Sequence, residues 1–345
     1  MREARFIKKN VDRWNQYQQD ETQNPDEMAD RFINLLDDLS YSKTFYPKSN
    51  VTQWINGLAS KIYQNIYQNK KQNLSVLLHF WTSAYPLLFR KYHSIFLFTF
   101  LLFLSFVFIG VVSSTTDPGY ARQFFDHKVQ SGYYDQTISS IQRGDPFGVY
   151  KEDNPFSMFV KIAYNNISVA FKTVISGVLF GIGTLLFMWT NGLMLGCFQY
   201  IFFSQGLGWQ SVLVIWIHGT IEISSIVIAS CAGIILGTGY LFPATYTRKE
   251  SFIRSAKDAV RICISLIPFF IVAAFFESYI TRLMSNTFQK NSTDIGLPVP
   301  ISIMILTGSF LLILWYYVLY PINLYHKGFE LKDGKILKNG IPYEM

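Results

Sequence analysis

Two residues of the 345-residue chain stand out for their surroundings: His218 and Glu222, in the stretch WIHGTIEISS (216–225), inside a long apolar run. An imidazole and a carboxylate can share a proton, pair as ions or bind a metal. Four positions apart, they lie on one face of a helix, so each can satisfy the other. The setting gives the pair weight. A charged side chain at the centre of a membrane helix costs about 2.5–3.5 kcal/mol on insertion scales, and such groups are a functional-site hypothesis by default. Glu277 lies in a later apolar run, with Arg282 just beyond it. Asn165 and Asn166 precede another run. Three chemistries compete for this polar cluster. One is a latch between helices, one a path for a proton, solute or lipid, and one a metal or catalytic centre. The third is the least supported, because a catalytic zinc site wants three protein ligands. No HExxH motif is present, and His79, His93, His127 and His326 fall in or beside polar segments. No nucleophile elbow, P-loop or dinucleotide fingerprint occurs either. No catalytic residue, metal or cofactor is therefore expected, and the protein is expected not to be an enzyme.

The elements that must carry these residues are membrane helices. Half of the chain is hydrophobic, and the apolar residues come in blocks near the roughly 20 residues that cross a bilayer. The blocks are Ser94–Val112, Phe171–Thr190, Leu193–Phe203, Ser211–Gly237, Ile262–Ile280 and Ile301–Tyr320. Asn191–Gly192 reads as a tight turn between the second and third. The third is short, which leaves a re-entrant hairpin open. The expected class is all-α: a polytopic protein of about six transmembrane helices. An N-terminal helical region occupies 1–93, an outer segment 113–170, a five-helix membrane core 171–320 and a tail 321–345. Cys197, Cys231 and Cys263 all lie in apolar blocks, so no disulfide framework is expected.

Lys and Arg beside the spans set the orientation. Arg90 and Lys91 precede the first span, a basic group from Arg248 to Arg261 joins the fourth and fifth, and four lysines follow the sixth. Six spans with both ends in the cytoplasm put all three groups inside. The excess of 30 Lys and Arg over 23 Asp and Glu then reflects topology and membrane lipids rather than nucleic acid. The charged start of the chain is no signal peptide, so the first apolar block is expected to direct insertion. In that layout His218, Glu222 and Glu277, at about 1.5 Å per residue, all fall in the outer half of the membrane.

Helical spacing in the first 70 residues marks three amphipathic helices. Their apolar faces are Ile7, Val11 and Trp14; Met28, Phe32, Leu35, Leu36 and Leu39; and Val51, Ile55, Leu58, Ile62 and Ile66. YPKSN (46–50) separates the second from the third. A stretch rich in aromatic residues (74–93) suits an interfacial helix. In the outer segment a short helix is expected within 124–141. The triplet Arg143–Asp145 matches a cell-adhesion tripeptide by chance only, and Pro146 marks a turn. Gly177, Gly181, Gly192, Gly196, Gly233 and Gly237 form small-xxx-small spacings that favour close helix contact, and Gly219 is expected to let a neighbouring backbone approach the His218 pair.

NNISVAF (165–171), GVLFGIGTLLFMWTNGLMLG (177–196) and HGTIEISSIVIASCAG (218–233) together resemble the core of the stage II sporulation protein M family. The N-terminal REARFIKKN and DDLSYSKTFYP (37–47) resemble the longer members found in non-sporulating bacteria. The resemblance marks Asn165, Asn166, Asn191, Gly192, His218, Gly219 and Glu222 as family positions. It implies an integral, non-catalytic protein of the bacterial cytoplasmic membrane that positions other envelope proteins, a peptidoglycan hydrolase or a MoxR-type ATPase among them. The function expected is thus a membrane scaffold or accessory subunit for envelope remodelling; the alternative is a transporter, channel or lipid-handling protein with an outer-half polar cavity. The sequence leaves the oligomeric state open, a homo-oligomer included.

Overall fold

The computed structural model describes residues 3–20, 22, 24–67, 78–129, 131–151, 154–290, 292–332 and 334–343, and it divides into two compact units, 1–77 and 78–345. In the first unit, α1 (Glu3–Gln19), α2 (Pro25–Phe45) and α3 (Asn50–Tyr67) enclose Phe6, Trp14, Leu35, Leu39, Ile55, Leu58, Ala59 and Ile62. Asn24 caps α2 by accepting from the Asp26 N–H at 3.1 Å, one of the four donors that a helix start leaves without partners. The buried face of α1 is Phe6, Asn10 and Trp14, one residue out of phase with the expected Ile7 and Val11. Leu36 and Ile66, expected inside, are exposed. Asp38 explains the phase: its Oδ2 accepts from Trp14 Nε1 at 2.7 Å and from Arg13 Nη2 at 2.5 Å. A charge-assisted polar clamp thus orients α1 on α2 where apolar spacing alone left two faces open.

The second unit begins with a π-helical turn, Phe80–Ala84, and α4 (Tyr85–Lys91), and its long rods follow. These are α5 (His93–Thr116), α8 (Pro155–Ile175), α9 (Ile182–Ser204) and α10 (Gly208–Leu241). Next come a rod made of α11 (Arg248–Ser265), α12 (Ile267–Phe275), a π-helical turn (Phe276–Thr281) and α13 (Arg282–Phe288), and a last rod of α14 (Val299–Leu314), a π-helical turn and α15 (Tyr320–His326). Among the described residues five rods are long and apolar enough to cross a membrane: α5, α9, α10, α11–α13 and α14–α15. The sixth, α8, is amphipathic, with Asn166, Ala170, Thr173 and Val174 buried. The α10 window is 72% buried, against 17% in α5 and in α14–α15, so α10 is the central post around which the others stand.

Two boundaries differ from the expectation. Asn191–Gly192 is no turn but lies inside α9. Breaking a helix at that depth would leave backbone N–H and C=O groups unpaired in an apolar setting, and Asn191 Nδ2 instead donates to its own helix at Phe187 O, 2.7 Å. The break comes earlier, at 176–181, where Phe180 and Gly181 take positive φ of 55° and 83°. Asn165 and Asn166 consequently sit within α8 rather than before a span, and the segment that follows α5 ends near residue 154. The apparently short third block is part of a 23-residue helix, which removes the case for a re-entrant hairpin.

Between α5 and α8 the chain forms α6 (Pro118–Lys128) and α7 (Tyr133–Gln142), two short helices where one was expected. Ala121, Phe124 and Phe125 pack on Leu193, Cys197 and Ile201 of α9. The following loop is pinned to α13 and the residues just after it: Ser285 Oγ donates to Phe147 O at 3.0 Å, and Lys290 N donates to Gly144 O at 2.8 Å. Asp145 of the Arg-Gly-Asp triplet pairs with Lys151 at 2.8 Å, a structural use. At the opposite end of the rods, Tyr92 Oη donates to Asp258 Oδ2 at 2.6 Å. The tail carries a three-stranded antiparallel meander, β1 (Phe329–Lys332), β2 (Lys335–Lys338) and β3 (Ile341–Pro342), paired Phe329↔Lys338 and Lys338↔Ile341. No strands were expected there, although Asp333–Gly334 and Asn339–Gly340 between alternating residues are hairpin signals.

Candidate functional site

His218 and Glu222 project from α10, Glu277 and Thr281 from the π-helical turn of the α11–α13 rod, and Asn166 from α8. Counted from the helix ends beside the α6–α7 cap, His218, Glu277 and Asn166 lie 10 or 11 residues in. At about 1.5 Å per residue that puts all of them about 15–17 Å deep, level with one another. The π-helical turn shifts the phase of its rod, a deviation frequent at functional sites, and turns both Glu277 and Thr281 toward α10.

His218, 4% exposed, has its Nδ1 at 2.9 Å from Thr281 Oγ1 and its Nε2 at 3.9 Å from Glu277 Oε1. The second separation is too long for a hydrogen bond. The nitrogen of His218 and one oxygen from each of Glu222 and Glu277 lie within 4.8 Å of one another. The expected self-sufficient pair is thus replaced by a triad drawn from two rods, and His218 finds its hydrogen bond on the neighbouring rod rather than on Glu222. The Asn166 amide faces Glu222, yet its Nδ2 is buried with no hydrogen-bond partner among the described residues. Asn165 is exposed on α8 and donates to Asn166 Oδ1 at 3.3 Å. Arg282 follows Thr281 at the start of α13 and is half-buried.

Tyr150, from the loop after α7, closes the site on the cap side. Its ring meets the His218 imidazole edge to face at 5.7 Å between centroids. Burial, with smaller contributions from Glu277, Tyr133 and Glu222, holds its phenol well above the usual range, so it stays a neutral group. Neither Thr281 nor Tyr150 was singled out from sequence as part of the site. The four-residue spacing of Glu277 and Thr281 was the available signal for the first; nothing local pointed to the second. In chemical terms the triad offers one nitrogen and two carboxylate ligands to a cation, or two carboxylates able to share protons. It also ties α10 to its neighbour.

The glycines pack in two sets. A side chain on Gly177 would strike the backbone of Gly233, and one on Gly237 would strike the backbone of Gly181, so the 176–181 break lies directly on α10. Gly192 and Gly196 receive α5: a Cβ at Gly192 would come within 2.6 Å of Phe106 Cβ, and one at Gly196 would strike Val107 O. Gly219 differs from the expectation, for a Cβ there meets nothing nearer than Ile215 Cγ2 at 4.0 Å. It admits no neighbouring backbone.

Among known proteins, residues 99–282, more than half of the chain, match the family model described as stage II sporulation protein M. Residues 4–68 match a second model, described only as a domain of unknown function (DUF8413). No curated protein and no solved structure matches the chain. The first match contains most of α5, all of α8 to α10 and the π-helical turn with Glu277, and so the whole triad. This all-α membrane protein belongs to the stage II sporulation protein M family.

Proposed function

We propose that the protein is a non-enzymatic scaffold or accessory subunit of an envelope-remodelling complex in the bacterial cytoplasmic membrane. The observation that carries this reading is its division into two separately packed units with separate family matches. A helical unit with its own core, joined to a family membrane core, suits a recruitment module. The partner class is a peptidoglycan hydrolase or a MoxR-type ATPase, the latter meeting the N-terminal unit. Both termini are cytoplasmic in this reading. Lys91 pairs with Asp258 at 3.0 Å at the rod ends opposite the cap, where Arg254, Lys257, Arg261 and Lys332 line the same cleft, and basic residues mark the cytoplasmic side.

The test is purification of the tagged full chain from native membranes in mild detergent, beside a variant lacking residues 1–67. A stoichiometric hydrolase or ATPase that is lost from the truncated but monodisperse variant supports the scaffold. A full chain that purifies alone from membranes rich in those enzymes counts against it. The polar triad favours a second reading, passage of an ion or solute through the membrane core. There, Glu222→Gln would leave a well-folded protein that has lost flux in reconstituted vesicles.

A further inference from the structure

We propose that His218, Glu222 and Glu277 form an intramembrane site for one divalent transition-metal ion, of the zinc or manganese class. The three candidate ligand atoms already lie within 4.8 Å of one another. Ligands held about 2.1 Å from a tetrahedral zinc are about 3.4 Å apart, so the 3.9 Å between His218 Nε2 and Glu277 Oε1 closes with a small carboxylate rotation. The imidazole is oriented as metal-bound histidines are: one ring nitrogen is held by an outer partner, here Thr281 at 2.9 Å, which leaves the other for the ion. Asn166, 5% exposed, turns an amide nitrogen with no other partner among the described residues toward Glu222, the position of an outer-shell donor that orients a ligating carboxylate.

Charge and space point the same way. Ionising two carboxylates at that depth is costly in an apolar medium without a cation beside them, and a divalent ion supplies the matching charge. One imidazole among the ligands favours first-row transition metals over magnesium or calcium, which prefer oxygen alone. The Glu277 side chain keeps 17% of its surface exposed despite its depth, so protein atoms do not close the site completely. Bound there, the ion would join α10 to the α11–α13 rod directly beneath the Tyr150 ring. This inference rests on the site geometry and is independent of the scaffold reading.

The experiment uses the full chain, purified in detergent with a tag that contains no histidine, stripped with a chelator and titrated with Zn2+ or Mn2+ alone. About one equivalent should bind per chain and raise the thermal midpoint. Glu222→Gln and Glu277→Gln should lose that rise, and Asn166→Ala, outside the ligand set, should weaken binding about 10- to 100-fold. If the Gln variants do not fold, the Asn166→Ala titration alone decides. The proposal is overturned by a stripped wild type that binds neither metal saturably, or by variants that bind as the wild type does. It is equally overturned by a midpoint that follows pH but ignores metal, the mark of carboxylates sharing protons. All these readouts come from the isolated chain, so none depends on a partner.

Discussion

His218 shows how one residue's meaning depends on a neighbour remote in sequence. Its hydrogen bond goes to Thr281, 63 positions away, and removing that hydroxyl strands a buried ring nitrogen. Thr281→Val should cost about 1–3 kcal/mol, read as a lower thermal midpoint in detergent, with Thr281→Ser close to wild type. An unchanged midpoint for the Val variant would mean that the contact contributes nothing. Two glycines make a sharper pair. Gly219 has open space where a methyl would go, so Gly219→Ala should be neutral or stabilising by up to about 1 kcal/mol. Gly233 faces Thr184 and the Thr173 carbonyl, and Gly233→Ala should destabilise by about 1–3 kcal/mol through overpacking. Equal effects at the two positions would contradict the packing. In the sequence both glycines read as points of close helix approach, Gly233 by its spacing and Gly219 by its place beside His218; only the neighbouring elements distinguish them.

At the scale of elements, the same dipeptide has opposite outcomes. Asn191–Gly192 stays helical because its surroundings offer backbone groups no other partner, and α5 seats Phe106 against the missing side chain. Asn339–Gly340, between short alternating segments, turns a hairpin with positive φ at both residues, 52° and 83°. Gly192→Leu should therefore separate α5 from α9 and lower the yield of folded protein, whereas a harmless substitution would favour a turn at 191–192. In the N-terminal unit, Asp38→Ala removes the acceptor shared by Arg13 and Trp14. Hydrogen exchange along α1 should quicken while the membrane rods stay protected; uniform protection would show that apolar contacts alone hold α1. The hydrophobic spacing of α1 was readable, but its phase was not, since the deciding group is a carboxylate on another helix.

For the molecule as a whole, the rods place the α6–α7 cap and the tail sheet at opposite ends. The three native cysteines are buried, so single introduced cysteines report topology against a low background. With the proposed orientation, Ser131→Cys should react with an impermeant maleimide on intact cells, and Lys335→Cys only after permeabilisation. Reaction of both from outside would place cap and tail on one face and break the six-rod path.

What the sequence by itself determined is what depends on nearest neighbours along the chain. Runs of apolar residues settle that there are membrane helices, and charge beside them suggests a direction. Intramembrane acids and a histidine announce a polar cluster, because few side chains are costlier at that depth. The sets of glycines announce close packing. The tertiary structure decided which polar groups meet: it exchanged a pair on one helix for His218, Glu222 and Glu277 across two rods, and added Thr281, Tyr150 and Asn166 around them. It also moved a helix break by at least ten residues, from 191 back to 176–181. These outcomes turn on rotation of one helix against another and on a π-helical change of phase, and such angles are set by contacts between segments far apart in the chain.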